Sequence, residues 1–230
     1  MRILAIDTTS KNLCLAISDG SKSASLTLDC EKRHAALLVP FIKKSVSALG
    51  ISLKDIDYFA VGLGPGSFTG IRIGLSTIKG LAWSLNKPVV GFSTLDAIAR
   101  NVLDALKDNC FSAEVAVIVD AKRGQGYFCS YRLKDKRLKR TSRYKLLNLE
   151  DILALLPKDC IILGDGVGVF QNSLLRAKSK PEILDKDFWY PRGHNLIPLA
   201  EELVSLGKIS SAFKVKPIYL YPQDCQLKGH

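Results

Sequence analysis

Three aspartates stand at or near the ends of apolar runs: Asp7 in "ILAID", Asp120 in "VAVIVD" and Asp165 in "CIILGDG". Carboxylates so placed can hold a divalent cation against a phosphate, although one alone neutralises only part of the ion's charge. A further apolar run opens into glycines instead, in "YFAVGLGPGSFTGIRIG". A glycine-rich turn from strand to helix can cradle phosphate with its amides, so nucleotide chemistry is the first reading to weigh. The letters argue against its usual forms. A Walker A loop ends in Gly-Lys-Ser/Thr, and no lysine occurs among Gly64, Pro65, Gly66, Ser67, Phe68 and Thr69. A dinucleotide fingerprint would need its third glycine stretched to Gly70, and Pro65 removes an amide from the cradle. These six residues read as a structural turn, with Ser67 and Thr69 available to cap the helix that follows.

Other chemistry finds less support. The three histidines, at 34, 194 and 230, are too dispersed to pair on a metal. Ser67 lacks a Gly-x-Ser-x-Gly elbow, and His34 would have to reach it from another helix. His34 reads as a polar or interface residue in a first helical turn, and His194, in "PRGHN", as helix-entry chemistry. The six cysteines (14, 30, 110, 129, 160 and 225) show no CxxC pair. They are expected to be reduced and structural, with Cys14 in the core. No catalytic residue and no metal ligand are assigned.

The elements that would position these residues follow from periodicity. Three short strands, "RILAID", "LCLAIS" and "ASLTLD", form a meander, and a helix over about 33–49 follows, interrupted by Pro40. Strand "YFAVGL", the glycine turn, a helix over 70–85, strand "PVVGF" and a helix over about 94–106 complete the first half. The pattern then restarts, with a strand ending at Asp120, a basic turn with Gly124 and Gly126, and a second strand. A third strand lies in "RLKRTSRYKLL", a helix in "LEDILALL" capped by Asn148, a strand in "CIILGDG" and a last helix in "HNLIPLAEELVSLG". Two α/β lobes, 1–105 and 106–215, account for the restart better than one open sheet, and 216–230 is a tail without assigned placement.

The helix over 70–85 carries Gly70, Gly74, Thr77 and Leu81 on one stripe and Gly80 beside it. Each internal glycine costs about 1 kcal/mol relative to alanine, and close helix packing is the gain that would offset it. That packing is either internal or against a partner; periodicity does not decide. The helix over 33–49 is likewise more broadly apolar than one buried face requires.

Composition sets the class. With 47% apolar and 24% charged residues among 230, the chain is globular. Its start, "MRILAIDTTS", lacks the apolar core of a signal peptide, because Asp7 interrupts the run. No segment has the apolar length to span a bilayer, so no membrane role and a cytoplasmic location are expected. The net charge of +11 is concentrated: ten lysines and arginines fall within 122–145, with Asp135 the only acid between them. Lys134, Arg137, Lys139, Arg140 and Arg143 form a candidate RNA patch, and a solvated surface is the competing reading. No zinc finger, RNA-binding aromatic signature or recognition helix accompanies it.

The segments "ILAIDTTSKNLCLAISDG", "RHAALLVPFI", "VGLGPGSFTGIRIGLSTIKGLAWSLNKPVVGFSTLDAIA", "IVDAKRGQGYF" and "KPIYLYP" together resemble the TsaB, or YeaZ, family. The resemblance spans nearly the whole chain and is strongest over residues 3–99. It implies an α/β fold of the actin-like ATPase/Hsp70/sugar-kinase superfamily, with two ribonuclease-H-like lobes. It also implies a non-catalytic subunit for making threonylcarbamoyladenosine beside the anticodon of tRNAs that read ANN codons. The implied partners are a TsaD-like paralogue, a TsaE-like ATPase, tRNA through the complex, and a second copy of the chain. The implied docking helices carry His34, Leu38, Phe41 and Ile42 on the first, and Gly70, Arg72, Ile73, Gly74, Thr77, Gly80 and Leu81 on the second.

Departures from TsaD bear on chemistry. TsaD-like enzymes carry a His-x-x-x-His metal pair after the strand matching "PVVGF", where this chain reads Ser93-Thr94-Leu95-Asp96-Ala97. The superfamily's first phosphate turn carries glycine, where this chain reads Asp7-Thr8-Thr9-Ser10. Asp7, Lys122, Arg123, Gly164 and Gly166 remain weak nucleotide candidates, with ATP or ADP bound weakly and mainly through the complex. No cofactor is expected of the isolated chain. Two alternatives stay open: a small ATP-dependent kinase or acyl-transferase of the same superfamily, and a stand-alone basic tRNA-binding module.

Overall fold

A computed structural model describes residues 1–31, 33–106 and 112–221. They form two units, each with its own sheet. Met1–Asn101 and Tyr190–Pro217 make the first, and the described parts of Val102–Trp189 and Ile218–His230 the second.

In the first unit, β1 (Ile3–Asp7), β2 (Asn12–Ser18) and β3 (Ser23–Asp29) form the expected antiparallel meander. β4 (Tyr58–Gly62) and β5 (Val89–Phe92) add in parallel, giving the ribonuclease-H-like order β3-β2-β1-β4-β5. Every residue of β1 is buried because both faces of the sheet are covered. Leu4 and Ile6 join Leu38, Ile42 and Val46 of α1 (His34–Ala48) and Ile78 of α2 (Phe68–Ser84). Helix α1 runs on through Pro40, which lies on its exposed side, so the proline neither ends the helix nor delays its start. The single helix expected over 94–106 is instead α3 (Thr94–Ala99) and α4 (Asn101–Leu106). The break adjoins Asn101, whose buried amide bonds the Tyr190 carbonyl at 2.7 Å and the Asn195 side chain at 3.0 Å.

Ile3, Ala5, Ala16, Ala60 and Val90, on the opposite face, pack against Leu196, Leu199, Ala200 and Leu203 of α7 (Leu196–Ser205). This corrects the expected division at 105/106: the last helix returns to the first unit instead of completing the second. Its apolar stripe is what keeps water from that face of the sheet. An amphipathic helix does not announce which sheet it covers.

The second unit repeats the order. β6 (Ser112–Lys122) and β7 (Gln125–Lys134) form a long hairpin, and β8 (Arg137–Arg140) and β9 (Lys145–Asn148) both pair antiparallel with β7. The one strand expected over 137–147 is thus two. β10 (Ile161–Leu163) and β11 (Glu182–Ile183) add in parallel beside β6. Helix α5 (Leu149–Leu155) is capped as expected, by the Asn148 Oδ1, which accepts from the Asp151 amide at 2.8 Å. The strand expected in "CIILGDG" ends at Leu163, and Asp165 precedes α6 (Gly166–Leu175). Of the tail, Tyr221 donates its hydroxyl to the Ala121 carbonyl at 2.6 Å; residues 222–230 lie outside the described ones.

The glycine stretch is explained within the first unit. A Cβ on Gly70 would stand 2.0 Å from the Thr8 carbonyl oxygen, and one on Gly74 2.5 Å from Thr8 Oγ1. The Thr8 hydroxyl in turn donates to the Gly70 carbonyl at 2.7 Å. Gly70 and Gly74, expected at a partner interface, are instead buried where the turn after β1 meets the α2 backbone. Gly80 differs: it is exposed, with nothing within 4 Å of its would-be Cβ. Gly74→Leu should therefore destabilise the free chain by about 1–3 kcal/mol, as an overpacked core does. Gly80→Ala should stabilise the helix by up to about 1 kcal/mol. Thermal unfolding followed by circular dichroism separates them, at about 2–4 °C per kcal/mol; equal melting of the two variants contradicts the assignment.

Candidate functional site

Asp7 ends β1 at the centre of the first sheet and is fully buried. Its Oδ1 accepts from the Thr9 amide and hydroxyl, each at 2.8 Å, and its Oδ2 accepts from the Thr94 hydroxyl at 3.0 Å. The Thr9 and Thr94 hydroxyl oxygens also lie 2.7 Å apart, so one of them can donate to the other only in place of its bond to Asp7, or when Asp7 itself carries the proton. A Cβ on Gly62 would lie 2.2 Å from Oδ2, which closes the remaining side. Burial pushes the Asp7 carboxyl above its ordinary value, and the Thr9 and Thr94 bonds and the nearby His34 offset only part of that. Both oxygens thus accept from protein donors in a buried site, an arrangement that orders the turn after β1. Among the described residues, no three His, Cys, Asp or Glu side chains stand together as a metal would need.

The remaining nucleotide candidates lie in the second unit, around the end of β6. Lys122 pairs with the Asp120 carboxylate, and the Asp120 amide donates to Asp165 Oδ1 at 2.9 Å. Burial raises the Asp165 carboxyl. Gly164 and Gly166 serve packing, since a Cβ on either would stand 2.2 Å or 2.8 Å from Ile118 atoms. Lys122 and Arg123 are exposed at the β6–β7 turn. Cys14 is core, its thiol donating to the Pro191 carbonyl at 2.9 Å, and the four described cysteines are buried and form no disulfide with one another. His194 sits in the short 3-10 turn that leads into α7, as its sequence context suggests.

Helices α1 and α2 lie on the same face of the sheet, and the structure divides the predicted interface residues in two. His34, Leu38, Ile42, Gly70 and Gly74 are buried beneath the surface, a correction with a simple cause: they form the faces that hold the helices to the sheet. His34 Nε2 has no hydrogen-bond partner there. Phe41, Ile73, Thr77 and Leu81 are half-buried, and Arg72 and Gly80 are exposed. Sequence reasoning missed Val39, Phe68 and Trp83, which are 52%, 42% and 67% exposed. The excess apolar width of both helices was the available signal. Arg72 lies over the Phe68 ring at 3.6 Å, and Trp83 meets Phe213 edge-on. At the C-terminal ends of α1 and α2 a groove of about 870 Å³ has a floor of Val46, Ile51, Leu53, Leu81 and Leu85 under Lys43, Lys44 and Lys54. No helix among the described residues is long and apolar enough to cross a membrane.

The Asp7 arrangement has a pH consequence. A carboxyl raised by burial destabilises the fold when charged, and protonation relieves the strain. As pH falls from neutral through the raised value towards about 3.8, the native chain should gain stability relative to Asp7→Asn. Urea unfolding of both proteins from pH 7 to pH 4.5 measures the difference; parallel profiles contradict a charged, buried Asp7.

Comparison with known proteins agrees with this architecture. Residues 28–189 match the family model of TsaD, tRNA N6-adenosine threonylcarbamoyltransferase. The TsaB protein of Buchnera aphidicola subsp. Schizaphis graminum is 33% identical, over 92% of this chain and 98% of the relative. That of Escherichia coli is 29% identical, over 96% and 94%. The solved structure of YeaZ from Pseudomonas aeruginosa superposes with a TM-score of 0.84 at 26% identity, covering 95% of this chain and 99% of that one. Two units of ribonuclease-H-like strand order and these likenesses agree: the chain belongs to the TsaB (YeaZ) family, within the wider TsaD-type family.

Proposed function

We propose that this chain is a non-catalytic, cytoplasmic subunit of the machinery that threonylcarbamoylates the adenosine beside the anticodon, working with a TsaD-like transferase and a TsaE-like ATPase. The TsaB relatives support the biosynthetic role. The observation that carries the docking role is the outer surface of α1 and α2, where Val39, Phe68 and Trp83 stay exposed and the C-terminal ends of the two helices border an apolar groove. Exposed aromatic and aliphatic side chains and an apolar floor are what a helical partner covers. The paralogue occupies this face in the complex, and a second copy of the chain takes it in the paralogue's absence. The occupied carboxylate at Asp7 supports the non-catalytic role. Nucleotide is held weakly, through the assembled complex.

Three measurements test this. Co-purification with the TsaD-like paralogue, followed by a tRNA modification assay with each component omitted, should show modification only when this chain is present. Within that complex, Val39→Glu and Gly80→Leu should each weaken pairing at least tenfold while the free chain melts nearly unchanged. Undiminished pairing by both variants overturns the docking face. The purified chain alone should hydrolyse ATP no faster than background; turnover abolished by Asp7→Ala overturns the non-catalytic reading.

A further inference from the structure

The β7–β8 hairpin presents an unusual charge lattice. It closes through Asp135 and Lys136, both at positive φ (49° and 59°), the two-residue turn that matches strand twist. In its register Arg132 stands opposite Lys139 and Lys134 opposite Arg137. Directly opposed residues of an antiparallel pair share a face, with Cβ atoms about 4.5–5.5 Å apart. The alternate β7 residues, Tyr131 and Leu133, are buried, so these four cations occupy one exposed face. Arg132 is paired, its Nε donating to Glu114 Oε1 of β6 at 2.6 Å. Lys134, Arg137 and Lys139 have no salt bridge among the described residues. Like charges directly opposed across a ladder destabilise it, and among the described strand residues paired on this face Glu114 is the acid that meets them, at Arg132.

We infer that this face of the β7–β8 hairpin binds the phosphodiester backbone of RNA, tRNA under the reading above, without contacting base edges. An RNA backbone supplies closely spaced negative charges at no cost in shape, and a flat ribbon of cations at strand spacing meets it by charge alone. No exposed aromatic side chain lies among these four residues to stack on a base. Arg140 pairs with the buried Tyr131 and so lies on the other face of the hairpin, over the Tyr144 ring at 4.3 Å; it is not part of this surface. The inference takes the identity of the RNA from the proposed function; the contact itself rests on the hairpin.

The test compares two triple variants with equal loss of charge: Lys134→Gln/Arg137→Gln/Lys139→Gln on the hairpin, and Lys43→Gln/Lys44→Gln/Lys54→Gln at the groove of the first unit. Fluorescence anisotropy with bulk tRNA, and with a mixed-sequence RNA duplex and its scrambled counterpart, is measured across a salt series. The hairpin variant should bind all three RNAs more weakly and flatten the log–log salt dependence by about 2–3, one phosphate contact per lost cation. It should melt no lower than the native chain, because opposed like charges have been removed. The groove variant should keep the native salt dependence. Equal losses in both variants mean that net charge alone is read, and an unchanged slope in the hairpin variant means a merely solvated face; either overturns the inference. Affinity of the hairpin variant for the TsaD-like paralogue should stay native, so failure of pairing and failure of RNA contact are read separately.

Discussion

The turn after β1 is the constraint from which the rest of the first unit follows. Three successive residues there each meet a glycine from another part of the chain. Asp7 lies against Gly62, Thr8 against Gly70 and Gly74, and the Thr9 carbonyl 2.5 Å from where a Gly66 Cβ would stand. The glycines at 62, 66, 70 and 74 are thus spaced for one task, bringing a strand end and a helix backbone into contact. The helix loses intrinsic stability at two positions, and the close approach and the Thr8–Gly70 hydrogen bond offset it.

This contact also orients α2. With its glycine face against Thr8, its opposite side, including Gly80 and Trp83, is turned outward. Helix α1 beside it commits Leu38, Ile42 and Val46 to the sheet and leaves Val39 in solvent. The same packing that consumes the phosphate-like turn therefore produces the apolar surface. A carboxylate whose two oxygens already accept three hydrogen bonds in a buried site is poorly placed for metal or nucleotide chemistry, whereas a broad apolar helix face suits association.

The second unit repeats the topology and uses it differently. Its hairpin strands are 11 and 10 residues long, against 5 and 7 for β1 and β2. The far end of β7 carries charge where the near end, at Phe128 and Tyr127, is buried. Gly164 and Gly166 hold α6 against Ile118 much as Gly70 and Gly74 hold α2 against Thr8.

The sequence by itself determined the strands, most helices, the capping residues Ser67 and Asn148, the repeated strand pattern and the position of the basic hairpin. Each of these is encoded locally, by periodicity, turn residues or charge. Three things were decided only by the tertiary structure. The amphipathic stripe of α7 suits either sheet, and only the uncovered face formed by Ile3, Ala5 and Val90 claims it. The glycines of α2 announce a close approach without naming what approaches, and that turned out to be Thr8, 62 residues from Gly70. Which side of α1 faces outward depended on where the sheet lay, so His34, Leu38 and Ile42 went inside and Val39 stayed out. Local patterns specify what an element needs to bury; long-range packing specifies what it is buried against.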